Sequence, residues 1–482
     1  MTLPFSLADL QAASPEILLS VWAMLVLTLD FIFLRGRRAW LAYVSLLGTI
    51  ATLLVLLLQI GMSRTAWSGL YVLDPFALFF KVIFLGATAF VILMAIGYLQ
   101  LERIDLGEFY ALLLFSTVGM MLMASSGDLL TLYLGLETMS VCIYALIGFL
   151  KRERRSVEAA LKYILMGILS SGVLLYGIVL LYGLSGTTNL QGIGKAVGAL
   201  PLDNPVVMLA MVMLVAGFGF KIAAVPFHMY IPDAYEGAPH PVTAFISVGP
   251  KVAGFAVLLR VFLTSLPHLH ESWTLLLAVL SFITMTVGNV VAIAQRNIKR
   301  MLAYSSITHV GYMLIGVVAK DEVGISAVLF YGFAYYLMNL GAFAVVILLC
   351  QGKVKGDQLE DFTGLAQRSP MAAASMLFFL LSLTGIPPTA GFVGKLYLLL
   401  AAIEKGYILL ATAAVVNSAI SLYYYMRVAM YMYMRDPEGP ILLSSSRPLY
   451  LAILLAALGT FFVGVYPGLF LDFARASVRG LL

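Results

Sequence analysis

Six charged side chains lie inside long apolar runs of this sequence, where a charge is costly to keep. They are five lysines and one glutamate: Lys81, Glu137, Lys162, Lys221, Lys251 and Lys395. On insertion scales each charge costs about 2.5–3.5 kcal/mol at the centre of a bilayer, so such residues usually face a protein interior or water and serve ion pathways. Burial disfavours the charged form of a lysine and a nearby carboxylate favours it, so a lysine held between both influences can gain and lose a proton. The pattern predicts a proton relay, whereas a metal site would need clustered oxygen or nitrogen ligands, which the sequence does not offer.

Four of these residues are isolated charges in their own predicted helices. Glu137 has no acid or base on its helix to neutralise it, which favours a functional role over a structural one. Lys221, Lys251 and Lys395 have the same character. We therefore expect Glu137 and these three lysines to carry the relay.

The other two charges have a structural alternative. Lys162 follows Glu158 by four residues, which places both on one helix face, so it is either a relay group or a satisfied pair near the interface. Lys81 lies near the start of its apolar run and is expected to reach the interface by snorkelling.

Histidines near the isolated lysines are further relay candidates. His309 lies inside a span with serines three and four residues before it, and it is either a relay group or a satisfied buried imidazole. His228 follows Lys221 by seven residues, but a proline interrupts the helix between them. His240 precedes Lys251 by three helical turns and shares its face.

The composition shows what kind of protein must position these groups. Of 482 residues, 62% are hydrophobic and 11% are charged, where soluble domains have about 45–50% and about 25%. These values exclude a soluble enzyme, a nucleic-acid binder, a disulfide scaffold and a disordered chain. The two cysteines, Cys142 and Cys350, are far apart and cannot supply an iron–sulfur or zinc site, so we expect no cofactor in this chain.

Long apolar runs predict an all-α polytopic membrane protein with 14 transmembrane helices, because a span needs about 20 mostly apolar residues. The first run is too long for a signal peptide and is interpreted as a retained helix. The predicted spans cover about 14–34, 40–60, 74–99, 107–125, 128–150, 156–185, 204–232, 240–264, 272–294, 299–319, 323–350, 371–403, 407–434 and 448–471.

Basic residues in the loops orient the spans, since cytoplasmic loops are enriched in lysine and arginine. One side collects Arg35, Arg37, Arg38, Arg103, Lys151, Arg152, Arg154, Arg155, Arg296, Lys299, Arg300, Lys353, Lys355, Arg368, Arg435 and Arg447. The other side collects only Arg64, Lys195, Lys320, Lys405, Arg475 and Arg479. We therefore expect both termini outside the cytoplasm, on the periplasmic side of a bacterial inner membrane.

Two predicted spans carry helix breakers beside their lysine. Pro226 follows Lys221 in the seventh span, and the twelfth has four breakers before its lysine: Gly385, Pro387, Pro388 and Gly391. Discontinuous helices at matching positions of two halves indicate a transport site, although prolines are also common in membrane helices. The five-span offset predicts two inverted five-helix repeats, spans 4–8 and 9–13. The expected domains are 1–105 (helices 1–3), 106–266 (helices 4–8), 267–436 (helices 9–13) and 437–482 (helix 14).

Several segments are similar to a known family. These are SPEILLSVWAMLVLTLDF, DLLTLYLGLETMSVCIYALIGF, KYILMGILSSGVLLYG, FKIAAVPFHMYIPDAYEGAPHPVTAFISVGPKVAGF, RNIKRMLAYSSITHVGYMLIG and GIPPTAGFVGKLYLL. Together they resemble the N subunits of bacterial NADH–quinone oxidoreductase (respiratory complex I), which are antiporter-like membrane subunits. The resemblance covers nearly the whole chain.

The resemblance implies a role for each relay candidate. Glu137 would tune Lys221, Lys251 would connect the two halves, and Lys395 would serve the second half-channel. Lys162, His228 and His309 would be secondary relay groups. The related M-type subunit carries glutamate in place of Lys395, and the L-type subunit continues into a long lateral helix.

The same resemblance implies the function and the partners. The chain would translocate protons while partner subunits, which hold NAD, flavin, iron–sulfur clusters and quinone, oxidise NADH and reduce quinone. It would work with an M-type subunit and small K-, J- and A-type subunits in the lipid bilayer, would not function as a monomer and would bind no nucleic acid. Two alternatives remain open: a subunit of a multisubunit sodium/proton antiporter, and a scaffold whose charges are structural.

Overall fold

Long helices make up most of the computed structural model, which describes residues 6–32, 39–102, 104, 106–350, 356–437, 443–444 and 446–481. In chain order the helices are α1 (Leu7–Ala12), α2 (Ser14–Ile32), α3 (Trp40–Leu57), α4 (Pro75–Leu101), α5 (Gly107–Ala124), α6 (Leu129–Ile147), α7 (Arg154–Ser185), α8 (Leu190–Gly198), α9 (Pro205–Ile222), α10 (Tyr230–Gly237), α11 (His240–Ser265), α12 (His270–Ala294), α13 (Ile298–Ala319), α14 (Glu322–Leu348), α15 (Leu365–Arg368), α16 (Pro370–Thr384), α17 (Ala390–Glu404), α18 (Ile408–Met434), α19 (Arg447–Val465) and α20 (Pro467–Val478). A short antiparallel hairpin, β1 (Arg64–Ala66) and β2 (Tyr71–Leu73), joins α3 to α4, with Ala66 opposite Tyr71.

The apolar helices confirm a polytopic membrane protein. Thirteen helices of the described chain are long and apolar enough to cross a membrane, and each coincides with a predicted span. The remaining predicted span, 371–403, is occupied by two 15-residue helices, α16 and α17. The total of 14 spans and the inverted repeats stay predictions.

Both predicted helix breaks are present. The seventh span is interrupted after α9, where Ala223 takes a left-handed conformation with φ 64°, and α10 begins seven residues later at Tyr230. The twelfth span is interrupted after α16 at Gly385, with φ 91°. A left-handed residue is a common helix terminator and leaves the last carbonyl groups of the helix open to other donors.

Polar caps start many of the long helices, as the four free N–H groups at a helix N-terminus require. Asp74, Asp128, Asn204, Asn297 and Asp321 each accept from a backbone N–H two or three residues ahead. A side chain that satisfies these groups lets the apolar helix begin at a defined residue.

Helix α11 lies at the centre of the bundle. Its membrane-crossing window is 100% buried, whereas the windows of α2 and α7 are 33% buried. It packs against α4, α5, α9 and α14. Any polar group on α11 therefore meets other protein groups rather than lipid.

Some parts of the chain differ from the expectation or lie outside it. The predicted last span, 448–471, is wrong at its end, because α19 stops at Val465 and Pro467 starts the separate helix α20. The short helices α1, α8 and α15 and the β-hairpin were not predicted. Six of the basic residues used for orientation lie outside the described residues: Arg35, Arg37, Arg38, Arg103, Lys353 and Lys355.

Candidate proton-relay site

The first cluster joins Glu137 and Lys221 through α6. Lys221 occupies the last turn of α9, just before the break, is 2% exposed and donates from Nζ to Ser140 Oγ at 3.0 Å. Glu137 lies one turn before Ser140 on α6 and accepts from Ser171 Oγ at 2.6 Å. The carboxylate interacts electrostatically with the Lys221 ammonium group. The structure thus brings together two residues that the sequence placed 84 positions apart.

The central lysine of α11 is bonded to a hydroxyl group. Lys251 is 1% exposed, and its Nζ donates to Ser306 Oγ of α13. The same Ser306 hydroxyl lies 3.2 Å from the Tyr235 hydroxyl. The Lys251 Nζ also lies 5.5 Å from the centroid of the Tyr235 ring, which favours a cation.

A second hydrogen-bonded set begins at Ser305, the residue before Ser306, and includes His309. Ser305 is hydrogen-bonded to the Tyr425 hydroxyl, which lies 3.2 Å from His309 Nε2. The other ring nitrogen, His309 Nδ1, lies 2.6 Å from the Tyr331 hydroxyl. Since Ser305 and Ser306 are adjacent on α13, this helix carries both the Lys251 contact and the histidine contact. His309 is therefore a buried imidazole with both nitrogens engaged, at the junction of three helices.

Lys395 uses the open end of the broken helix. Its Nζ donates to the carbonyl oxygens of Leu383 and Thr384, at 3.1 and 2.7 Å, and to Ser418 Oγ at 2.8 Å. The last carbonyl groups of α16 carry partial negative charge and lack helical partners, so they suit a cation. The ammonium group also lies 4.5 Å from the centroid of the Tyr312 ring. The break in the twelfth span is thus the feature that solvates this buried lysine.

The two remaining candidates lie apart from these hydrogen-bonded sets. Lys162 is 48% exposed and forms ion pairs with Glu158 and Asp233, both at 2.9 Å. Asp233 of α10 also accepts from Arg300, at 2.9 Å. His228 lies in the break between α9 and α10 and is 7% exposed, and its Nδ1 bonds to none of the described residues.

The expectation that Lys81 snorkels to the interface is wrong. Lys81 is 0% exposed and forms an ion pair of 2.6 Å with Glu16 of α2. The Tyr71 hydroxyl accepts from Lys81 at 2.7 Å and lies 2.9 Å from the second oxygen of Glu16. This partner could not be recognised from the sequence, because it belongs to another helix at no characteristic spacing.

Sequence reasoning also missed the hydroxyl groups that bind the charged residues. These groups belong to Ser140, Ser306, Ser418, Tyr331 and Tyr425. Serines and tyrosines are common in membrane helices. Only the position of Ser140, one turn from Glu137, and that of Ser306, one turn before His309, mark a hydroxyl group in the sequence, and neither spacing identifies the lysine that the serine binds. Among the described residues no three His, Cys, Asp or Glu side chains group to hold a metal ion. The chemistry available to the site is proton exchange among amines, an imidazole, a carboxylate and hydroxyl groups.

Known proteins that are similar to this chain belong to one family of membrane subunits. Residues 126–421 match the family model described as NADH:quinone oxidoreductase/Mrp antiporter, transmembrane. NADH-quinone oxidoreductase subunit N 2 of Rhizobium meliloti (strain 1021) is 45% identical over 469 residues, which cover 97% of this chain and 98% of the relative.

Solved structures share the fold. A chain of respiratory complex I from Thermus thermophilus with bound aureothin is 33% identical with a TM-score of 0.82, covering 96% of this chain and 100% of that one. A chain of the Mrp complex from Dietzia sp. DQ12-45-1b has a TM-score of 0.84 at 21% identity, covering 98% and 97%. The Mrp likeness shows a common fold, whereas the higher identities are to NADH–quinone oxidoreductase chains.

Proposed function

Because the chain belongs to the subunit N family of NADH–quinone oxidoreductase, we propose that its protons move through Glu137, Lys221, Lys251 and Lys395. The chain is a proton-translocating membrane subunit of that complex, where it sits with other membrane-arm subunits. Lys162, His228 and His309 are secondary candidates for the relay. The proposed halves of the proton-translocating unit are residues 106–266 and 267–436. They are flanked by predicted spans 1–3 in 1–105 and by predicted span 14 in 437–482.

The observation that carries the relay is the kind of partner each lysine has. Lys221, Lys251 and Lys395 each donate to a serine hydroxyl, and none lies within ion-pair distance of a carboxylate of the described residues. Each of these hydroxyl groups donates its own proton to a backbone carbonyl and uses a lone pair to accept from the lysine. A neutral amine keeps two N–H donors, so this hydrogen bond survives the loss of one proton. Such a lysine can therefore change its charge without leaving a buried carboxylate unpaired.

Neighbouring groups in the relay can influence one another through electrostatics. A unit charge at about 10 Å in an effective dielectric of about 20 is worth about 1.7 kcal/mol, which corresponds to roughly one pKa unit. Charge movement driven by quinone reduction elsewhere in the complex can therefore shift the proton occupancy of one group and then of the next. This coupling needs no redox centre in the chain itself.

The proposal extends to the partners and the membrane. The complex acts as a translocase, with NAD, flavin, iron–sulfur clusters and quinone bound by partner subunits. The neighbours in the membrane arm are an M-type subunit and the small K-, J- and A-type subunits. The chain spans a bacterial inner membrane many times, with both termini on the periplasmic side.

Site variants of the whole complex in membrane vesicles test the relay. Glu137→Gln and Lys395→Met should lower NADH-driven proton uptake, measured with a pH-sensitive dye, while the complex assembles normally on native gels. Glu271→Gln at the exposed start of α12 makes the same change at a residue outside the relay candidates, so it is a matched control for Glu137→Gln and should pump normally. Full pumping by both relay variants would overturn the proposal, and loss of assembly instead of pumping would favour a scaffold role.

A sodium/proton antiporter is the second candidate function, since the Mrp complex chain shares this fold. It predicts sodium-dependent proton exchange by the complex without NADH. The identity of 45% to a subunit N chain against 21% to the Mrp chain favours the redox-driven pump.

A further inference from the structure

Helix α11 connects both ends of the bundle and carries a charged or titratable residue at each end. His240 starts the helix, Lys251 lies near its middle, and Arg260 lies near its end. At about 1.5 Å per residue, the 20 positions from His240 to Arg260 span about 30 Å, which is the thickness of the hydrocarbon core. A proton that reaches Lys251 from either surface therefore has about half a membrane to cross along this helix.

The end at His240 opens onto a polar cavity. The cavity measures about 480 Å³, and its lining includes the acidic residues Glu102, Glu153, Glu236 and Asp357. His240 Nε2 lies 2.8 Å from Asp357 Oδ1. The proposed topology places this end of α11 on the cytoplasmic side. The cavity thus places carboxylates at the start of the helix that bears Lys251 and has room for water.

Two buried polar atoms lie on α14, which packs against α11. Asn339 and Tyr335 of α14 are both 0% exposed, and neither Asn339 Oδ1 nor the Tyr335 hydroxyl bonds to any residue that the structure describes. Buried polar atoms in proteins nearly always have a partner, and an ordered water is the usual one when no protein group serves. Both atoms are therefore positions where water can bind inside the bundle.

These two side chains bridge the polar groups of α11 and α13. The Asn339 amide donates from Nδ2 to Ser247 Oγ at 2.5 Å, and Ser247 lies one turn before Lys251 on the same face. The Tyr335 hydroxyl faces Ser306, the serine that accepts from Lys251, without a hydrogen bond of normal length. Asn339 follows Tyr335 by one turn, so water bound at both would link Ser247 to Ser306.

The two halves of α11 differ in polarity. Between His240 and Lys251 the helix carries Thr243 and Ser247, and Ser247 is matched by Asn339. Residues 252–259 read VAGFAVLL and contain no polar side chain. At the far end Arg260 is held by two hydrogen bonds of 2.9 Å to Asp74. Between Lys251 and Arg260, α11 therefore has no side chain that can relay a proton, whereas the segment between His240 and Lys251 offers Thr243 and Ser247.

From this placement we propose that water held by Asn339 and Tyr335 forms the proton entry to Lys251 from the cavity at His240. A proton taken up at the cavity end passes along water molecules hydrogen-bonded to Ser247, Asn339 and Tyr335. At each hop one O–H bond forms as the next breaks, and the neutral Lys251 amine accepts the last proton. The route rests on the proposed function, because it assumes that Lys251 is a relay group. Asn339 and Tyr335 act as positioning residues that hold the water in line.

Two variants of the assembled complex test this route, together with a matched control, a rescue variant and Lys251→Ala as the reference for lost pumping. Tyr335→Phe removes only the unpartnered hydroxyl, and Asn339→Leu removes the amide at similar volume. Tyr336→Phe is the matched control, because Tyr336 belongs to the same helix but its hydroxyl lies beside Gly86 of α4. We expect both route variants to lose NADH-driven pumping to the level of Lys251→Ala, and the control to pump normally. Asn339→Gln keeps both the amide oxygen and the amide donor and should restore pumping where Asn339→Leu has lost it.

A second readout does not depend on activity. High-resolution cryo-electron microscopy of the unmodified complex should show water within hydrogen-bond distance of Asn339 Oδ1 and of the Tyr335 hydroxyl, and that water should be lost in Asn339→Leu. The route would be overturned if no water density appeared at either atom, or if both route variants pumped normally while Lys251→Ala did not. Neither result would contradict the proposed role of Lys251 in the relay. Normal pumping by Lys251→Ala would refute the role of Lys251 itself.

Discussion

The buried ion pair between Glu16 and Lys81 offers a test of stability that is separate from transport. The pair joins α2 to α4 at 2.6 Å, with exposed fractions of 4% and 0%. At that distance the attraction of two unit charges is about 6 kcal/mol for an effective dielectric of about 20. Taking both charges out of water costs several kcal/mol per ion, so most of that attraction is offset.

The offset makes single and double substitutions behave differently. Glu16→Leu or Lys81→Met leaves one uncompensated charge in the interior, and each should destabilise the chain by about 3–5 kcal/mol. That loss corresponds to about 10²–10⁴-fold in the folded fraction. The double variant leaves two apolar side chains of similar volume, which is often neutral or stabilising, so it should recover most of the loss. Tyr71 keeps a contact in the double variant, since its hydroxyl also lies 3.2 Å from the Ala12 carbonyl oxygen.

Thermal dissociation of this chain from the purified complex, followed on native gels, compares the stability of the two single variants and the double variant. The single variants should dissociate at clearly lower temperature than the unmodified complex, and the double variant close to it. Glu322→Gln, which breaks an exposed pair of 3.2 Å with Arg479, is a control that should change little. Additive losses in the double variant would refute the argument, and lost pumping in a stable double variant would show that Lys81 is more than structural.

Three further predictions concern the relay and the broken helix. Lys395→Met should slow proton transfer at that site by about 10²–10⁴-fold. Lys395→Arg keeps the positive charge but cannot release its proton, so dye-monitored pumping should fall in both variants. Gly391→Ala should destabilise the folded chain by at least about 1–3 kcal/mol, because the added Cβ would lie 1.8 Å from the Ser382 carbonyl oxygen. Gly172→Ala is its control, since that Cβ meets nothing within 4 Å, and it should leave the dissociation temperature of the complex unchanged or raised. Ser306→Ala should lower pumping by removing the hydroxyl partner of the central lysine, and Ser306→Thr, which keeps a hydroxyl group, should restore it.

Hydrophobicity made most helices predictable. The span predicted over 107–125 is found as Gly107–Ala124, and that over 299–319 as Ile298–Ala319. A run of about 20 apolar residues has few alternatives to a spanning helix, because lipid leaves its backbone groups no other partners. Short elements such as α8 and the β-hairpin lack that constraint, so no equally strong signal marks them.

The site was predictable in its charges but not in their partners. An isolated charge such as Glu137 or Lys251 stands out against apolar neighbours, and the breakers before Lys395 stand out for the same reason. The partner depends on which helices meet, and hydroxyl groups on those helices have no distinctive spacing. Lys81 is an example: its position in the sequence suggested snorkelling, and its partner Glu16 is apparent only once α2 and α4 lie side by side.

The kind of partner separates two classes of buried cation in this bundle. Lys81 and Arg260 are each held by a carboxylate, Glu16 and Asp74, at 2.6 and 2.9 Å. Removing a proton from Lys81 would leave a buried carboxylate unpaired, so this charge is fixed by its partner. The lysines of the proposed relay have serine hydroxyl partners instead, and hydroxyl groups serve both the charged and the neutral amine. The same helix shows both classes, because Lys251 and Arg260 lie nine residues apart on α11. A buried charge on a central helix is therefore not enough to identify a relay group; the absence of a carboxylate among its described hydrogen-bond partners is the more discriminating feature.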